Sequence, residues 1–139
     1  MDKKDVNFSK YITESITDID LLYLAYSRIK SKPGNMTPGP DAETLDGIKD
    51  KSLQDIIRGI STGTFKFKPA RTVQIPKPNG KTRTLGVASP RDKLVQEAMR
   101  LILEAIYQKD FSRHSHGFIA GRSCHTALKD LKGRFGYVN

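Results

Sequence analysis

Apolar residues near the start of the chain recur at the spacing of one helical face. Residues 17–31 place leucine, alanine and isoleucine side chains together, which predicts a helix that Thr17 or Asp18 can cap. The next segment, residues 32–40, is dense in proline and glycine, and neither a helix nor a strand tolerates that composition. We therefore expect a helix followed by a loop, called below the Pro/Gly loop.

A second helical pattern covers residues 42–62. Its apolar positions again fall on one side, but Gly47 and Gly59 weaken the pattern, because glycine is a poor helix former. We expect a break near residues 50–51 and a C-terminal stop at Gly63.

The segment 72–87 predicts a β-hairpin. Two runs of alternating apolar and polar residues flank the turn 78–80 (PNG), in which proline presets one φ and Asn-Gly tolerates positive φ. Lys77, Lys81 and Arg83 lie around this turn, and a rigid cationic tip suits phosphate binding. The same residues also fit an ordinary solvated surface hairpin.

Two more helices are predicted in the second half. Ser89, Pro90 and Asp92 form a typical helix start, and an apolar pattern follows to about Tyr107, as in a helix packed from several sides. After a loop-like stretch, Ser123 can cap a last helix. The expected fold class is α+β, with a short antiparallel sheet packed by several helices.

The positive charge is concentrated in the second half of the 139-residue chain. The net charge is +9, yet residues 1–64 carry nine basic and ten acidic side chains, whereas residues 65–139 carry fifteen basic and five acidic ones. Such a field favours a polyanionic partner, RNA or DNA before a membrane surface.

The cysteine count, the hydropathy and the N-terminal residues narrow the class of protein and its expected compartment. Cys124 is the single cysteine, so the chain holds no internal disulfide and fits a reducing compartment. No apolar run approaches the roughly 20 residues of a membrane span. The first residues resemble neither a secretory signal nor a transit peptide, so a protein working in an organelle is expected to be made there.

Four blocks of residues, in order, match one family. They are residues 34–41 (GNMTPGPD) with 44–48 (TLDGI), 65–71 (FKFKPAR) with 75–81 (IPKPNGK), 89–104 (SPRDKLVQEAMRLILE), and 114–118 (HSHGF) with 121–128 (GRSCHTAL). Together they resemble the N-terminal fingers region of group II intron reverse transcriptases, also called intron maturases. The resemblance covers about residues 20–132, nearly the whole chain.

The resemblance implies a fingers-like fold and places Lys77 and Arg83 near the triphosphate of an incoming nucleotide. A point charge plus a planar fork suits phosphate oxygens. Some positions depart from the family pattern. Ile119 and Ala120 replace Arg-Pro, Thr84 replaces a proline, and Ala42 replaces a glycine.

The polymerase centre of the family is missing from this sequence. Its chemistry needs carboxylates that hold two divalent metals, and no Tyr-x-Asp-Asp block occurs. We expect no catalytic residue, no metal and no cofactor in this chain alone. His114, His116, Cys124 and His125 lack common zinc spacing, and the family blocks already account for them.

The expected interface is basic and partly aromatic. The expected phosphate-binding residues are Lys66, Lys68, Arg71, Lys77, Lys81, Arg83, Arg91 and Arg122. Phe65 and Phe67 are candidates for stacking on bases, with at least one ring expected in the core.

Three segments organise these expectations. They are an N-terminal tail (1–16), a helical template-side segment with the Pro/Gly loop (17–64), and the basic hairpin with the helices of the fingers (65–139). We expect a non-catalytic RNA-binding fragment in a larger ribonucleoprotein, an organellar ribosome or splicing complex. The partners would be intron or ribosomal RNA and other proteins, without a membrane.

Two alternatives stay open. The chain would be the N-terminal piece of a split reverse transcriptase whose palm lies on another chain, or a truncated piece of an ordinary enzyme. The resemblance implies a mitochondrial, organelle-encoded protein, with the bacterial cytoplasm as the alternative location.

Overall fold

The computed structural model describes residues 8–136, and its contacts divide the chain into two units that meet between Leu103 and Glu104. The described part has α+β architecture, which confirms the predicted class. Its helices are α1 (Phe8–Ile16), α2 (Ile19–Lys30), α3 (Asp50–Ser61), α4 (Pro90–Tyr107) and α5 (Cys124–Phe135), with 3-10 turns at Leu45–Gly47 and Gln108–Asp110. Strands β1 (Arg71–Pro76) and β2 (Thr82–Val87) pair antiparallel.

The core of the first unit lies between α2, α3 and α4. Each of these helices contributes apolar side chains from one face, and burial of each large one stabilises the fold by roughly 1.5–3 kcal/mol. The buried cluster consists of Leu22, Ala25, Leu53, Ile56, Leu94, Val95 and Ala98. Helix α4 therefore forms a wall of the core. Its C-terminal part departs from the predicted packing on several sides, because Leu103 and Tyr107 are exposed.

The predicted helix caps are present. The Asp18 carboxylate accepts the Asp20 N–H at 2.9 Å at the start of α2. The Ser89 hydroxyl accepts the Asp92 N–H at 3.1 Å at the start of α4. Ser123 and Thr126 form a reciprocal capping box on α5.

Two segments differ from the sequence expectation. Residues Phe8–Ile16, expected as part of a tail, form α1, because Phe8, Ile12 and Ile16 fall on one helical face and Ile16 is buried; residues 1–7 lie outside the described part. The helix predicted from residue 42 begins only at Asp50. Ala42 has a φ of +61°, which no right-handed helix accommodates, and only the short 3-10 turn Leu45–Gly47 forms before α3.

The second unit contains the end of α4, the following loop and α5. No residue of α5 is buried, and Leu128, Leu131 and Phe135 on this helix are more than half exposed. Among the described residues, no helix is both long and apolar enough to span a bilayer.

Candidate nucleic-acid interface

The two faces of the hairpin (residues 71–87) differ in chemistry. The register pairs Val73 with Leu85 and Ile75 with Arg83, and because directly paired residues share a side, one face is apolar with an arginine near the tip. On the other face Gln74 donates to the Thr84 hydroxyl at 3.0 Å. The Thr84 hydroxyl thus forms a hydrogen bond across the two strands.

The tip of the hairpin is a tight, hydrogen-bonded turn. The Lys77 N–H donates to the Lys81 carbonyl at 2.6 Å, and the Gly80 N–H donates to the Lys77 carbonyl at 3.1 Å. Gly80 has a φ of +75°, a conformation that glycine adopts without strain. The predicted Pro-Asn-Gly turn is confirmed, and it fixes the backbone that carries both lysines.

Four cations of this region are exposed. Lys66 precedes the hairpin, Lys77 and Lys81 flank the turn, and Arg83 lies on β2. Within residues 8–136, none of these four side chains forms an ion pair or a hydrogen bond. Their charges are therefore available to an external anion.

Two other predicted cations hold the Pro/Gly loop. The Lys68 ammonium lies 3.0 Å from an Asp41 carboxylate oxygen. Arg71 donates from Nε and Nη2 to the Pro38 carbonyl at 3.2 and 2.9 Å. These contacts join the loop to the base of the hairpin, so Lys68 and Arg71, although exposed, also help to position this surface.

The Asp41 carboxyl is mostly buried, with 11% of its side chain exposed. Burial raises its pKa, but hydrogen bonds from Lys68 and from the backbone N–H groups of Asp41 and Glu43 outweigh burial and bring the pKa below its ordinary value. The carboxylate is thus ionised at neutral pH and keeps Lys68 in place.

Asp92 anchors the same region from α4. Its side chain is only 2% exposed and accepts the Lys68 N–H at 2.9 Å. Sequence reasoning assigned Asp92 to the helix cap alone. The residue lies 24 positions from Lys68, so no local signal reveals this contact.

The aromatic pair is divided between core and surface. Phe65 packs against the helical core, which confirms that one of the two rings is partly internal. The Arg91 guanidinium lies 4.8 Å from the centre of the Phe65 ring, and Phe67 meets that ring edge-on at 5.2 Å. Phe67 is 51% exposed, so it is the ring that solvent can reach.

The remaining predicted cation, Arg122, belongs to the second unit. It donates to the carbonyls of Ser112 and Ser115, which fixes the loop before α5. Asp130 of α5 holds His114 at 3.0 Å and Arg134 at 3.2 Å. These contacts give Arg122 and His114 structural partners inside their own unit.

The described residues offer no metal cluster. No three His, Cys, Asp or Glu side chains between residues 8 and 136 come together at a spacing that could hold a metal ion. Cys124 is exposed at the first turn of α5.

Comparison with known proteins identifies the relatives of this chain. It is 50% identical over 133 residues to the COX1/OXI3 intron 1 protein of Saccharomyces cerevisiae, a match that covers 96% of this chain and 16% of the relative. It is 44% identical over 118 residues to the group II intron-encoded protein LtrA of Lactococcus lactis, covering 84% of this chain and 20% of LtrA.

The chain is homologous to part of the group II intron-encoded proteins, the maturases. A more distant relative is the nuclear intron maturase 1, mitochondrial, of Arabidopsis thaliana, at 28% identity over 145 residues, or 91% of this chain and 20% of the relative. No protein-family model matches the chain. The chain spans only about one fifth or less of the length of these maturase relatives.

Proposed function

We propose that this chain is an RNA-binding segment of a group II intron-encoded protein and that it corresponds to the fingers of a reverse transcriptase. The observation that supports the proposal best is the hairpin tip. There, the Lys77 and Lys81 backbones are joined by a hydrogen bond, and Arg83 lies nearby, all without intramolecular charge partners in the described part.

The charge distribution supports RNA as the anion. Residues 65–139 carry fifteen basic and five acidic side chains, and most affinity for nucleic acid comes from phosphate contacts. The relatives are named as intron-encoded proteins and an intron maturase. An intron RNA is therefore the first partner to test, with ribosomal RNA as the second.

The chain alone acts without catalysis in this proposal. Nucleotide transfer requires carboxylates that hold two metal ions, and the residues from 8 to 136 present no such group. The segment would contribute RNA binding to a larger ribonucleoprotein, whose other members supply any chemistry.

A second function is favoured by the extent of the matches. The chain aligns with 16–20% of the length of its maturase relatives, so it is equivalent to one segment of a much longer protein. As one piece of a split or truncated reverse transcriptase, it would present Lys77 and Arg83 to the triphosphate of a nucleotide. The palm would lie on another polypeptide.

The proposed location is the mitochondrion. The nuclear intron maturase 1 of Arabidopsis thaliana carries the word mitochondrial in its name. The alternative, the bacterial cytoplasm, is supported by LtrA from Lactococcus lactis.

RNA titration over a range of potassium chloride concentrations tests the proposed function. We compare the parent chain with Lys77→Ala/Lys81→Ala/Arg83→Ala and with a control of equal charge change, Lys49→Ala/Lys51→Ala/Arg58→Ala. The hairpin variant should stay folded, because exposed charges contribute little to stability. The slope of log K for RNA binding against log salt concentration should become less steep by roughly 0.7 for each lost phosphate contact. Equal RNA losses in both variants would show that the hairpin is not the binding site.

A further inference from the structure

A basic pocket separate from the hairpin lies in the first unit, where the end of α2 and the Pro/Gly loop face α4. Its volume is about 390 Å³, and its wall includes three cationic side chains, those of Lys32, Lys93 and Arg100, against one carboxylate, that of Glu97. None of these four residues belongs to the hairpin or to the cations predicted from the sequence.

The charge of the pocket's one carboxylate, Glu97, is compensated by Arg100. Arg100 donates from Nε and Nη2 to the two Glu97 oxygens at 2.9 and 2.7 Å. These hydrogen bonds lower the pKa of Glu97, burial opposes them, and the nearby charges of Lys32 and Arg28 add to the lowering. Glu97 therefore stays ionised and satisfies Arg100.

Neither lysine of the pocket is directly paired with a carboxylate, although the charge of Lys32 is close enough to Glu97 to lower the pKa of that group. Lys93 is only partly exposed, yet neither it nor Lys32 forms an ion pair or a hydrogen bond within residues 8–136. Three cationic side chains against one carboxylate give the pocket an excess of positive charge, which favours an anionic ligand. Phosphate is a suitable anion for two lysine side chains that line the same pocket.

The floor of the pocket is apolar. Ile29, Pro33 and Leu45 line it, beside the amide side chain of Gln96. An apolar surface with an amide at its rim suits a planar base, because the ring can lie on the carbon atoms while its edge meets the amide. Cations and floor together match a base with its phosphate.

The wall of the pocket is held before any ligand arrives. The Asn35 side chain donates to the Lys30 carbonyl at 2.7 Å and accepts the Met36 N–H at 2.8 Å. The Leu45 N–H donates to the Asn35 carbonyl at 3.1 Å. The loop therefore contributes a fixed surface, which lowers the ordering entropy that binding must offset.

We infer that this pocket binds one nucleotide of a single-stranded RNA, with the phosphate on Lys32 and Lys93 and the base over Ile29, Pro33 and Leu45. The inference rests on the proposed RNA-binding function and adds a contact beyond the hairpin. The Pro/Gly loop would then serve both contacts, since its other end is fixed to the hairpin base by Arg71.

The test compares Lys32→Ala/Lys93→Ala with Lys49→Ala/Lys51→Ala, which removes equal charge from exposed lysines at the start of α3. A labelled uridine oligomer is titrated in increasing salt. For the pocket variant, the slope of log K against log salt concentration should become less steep by roughly 1.4, about 0.7 per phosphate contact. For the control variant, this slope should change clearly less. Equal slopes for the two variants would overturn the inference. If Lys93→Ala lowers the melting temperature, Lys32→Ala/Lys93→Gln is used instead.

An abasic oligomer of equal length and charge separates base from phosphate. The parent should bind it more weakly than RNA, and the pocket substitutions should then have a smaller effect than on RNA. Equal losses on both oligomers mean that the pocket holds phosphate alone, which overturns the nucleotide assignment. The hairpin triple variant keeps the two proposals apart: if it loses RNA while the pocket variant matches the control, only the pocket inference fails.

Discussion

The Lys68 ammonium lies 3.0 Å from an Asp41 carboxylate oxygen, and this contact joins the residue after the Pro/Gly loop to the start of the hairpin segment. The Lys68 backbone N–H also donates to buried Asp92 at 2.9 Å. One residue thus connects the loop, the hairpin and α4. Lys68, which is expected to bind phosphate, thus also holds the structural elements on which the exposed cations stand.

This arrangement predicts an acid-sensitive contribution to stability. The folded-state pKa of Asp41 is lowered, so its contribution is complete above the unfolded-state pKa, about 4, and is lost as the pH falls through the folded-state value. Asp41→Asn should lower the free energy of unfolding by about 1 kcal/mol at pH 7, since Lys68 is 45% exposed and solvent weakens the pair. The difference from the parent should shrink at pH 3.

Denaturant unfolding of both proteins at pH 7 and pH 3 measures this effect. Asp46→Asn is the control, because Asp46 is exposed and has no ion-pair partner between residues 8 and 136. A pH-independent difference between the parent and Asp41→Asn would contradict the prediction.

Close packing of the Pro/Gly loop on α4 gives a second prediction. A Cβ atom on Gly39 would lie 2.8 Å from the Ser89 Cα and 2.8 Å from an Asp41 oxygen. Gly39→Ala should therefore destabilise the fold by about 1–3 kcal/mol, as overpacked sites do. At Gly47 a Cβ meets nothing within 4 Å, so Gly47→Ala is the matched control. Thermal melts of both variants check the difference, and equal melting temperatures would refute close packing at Gly39.

Helices α2, α4 and α5 were predictable because local signals agree there. Each has a capping side chain and an apolar pattern, and both lie within a few residues. The two contacts that hold the Pro/Gly loop against the hairpin were not predictable, because Lys68 and Asp41 lie 27 residues apart in sequence and Arg71 and Pro38 lie 33 apart. Sequence identified the cations by type, but only tertiary contacts show that Lys77 and Lys81 are exposed while Arg71 is engaged.

Ala42 occupies a conformation that favours glycine. Its φ of +61° costs a non-glycine residue roughly 1–2 kcal/mol, and glycine would lose about 0.5–1 kcal/mol through unfolded-state entropy. Ala42→Gly should therefore raise the free energy of unfolding by about 0.5 kcal/mol. Ala70→Gly is the control. Ala70 does not have a positive φ, so glycine relieves no strain there and the variant should be less stable than the parent. Denaturant unfolding measures both changes in the free energy of unfolding. A loss of stability in Ala42→Gly would contradict the proposed backbone strain at Ala42.

Primer extension tests the non-catalytic proposal. The described residues lack a group that could hold the metal ions of nucleotide transfer, so the chain alone should extend no primer on an RNA template with magnesium and four nucleotides. A full-length reverse transcriptase serves as the positive control. Template-dependent extension that persists after repurification would overturn the proposal.

Phe65 and Phe67 should separate stability from RNA binding. Phe65 packs on the core and under the Arg91 guanidinium, so Phe65→Ala should lower the free energy of unfolding by about 2 kcal/mol or more. Phe67 is 51% exposed, and Phe67→Ala should cost much less stability. If the exposed ring stacks on a base, Phe67→Ala weakens RNA binding by about 1–3 kcal/mol, whereas Phe67→Tyr retains it. Unchanged RNA affinity in a folded Phe67→Ala protein would show that this ring takes no part in binding, and the cations of the hairpin would then bind the phosphates without aromatic help.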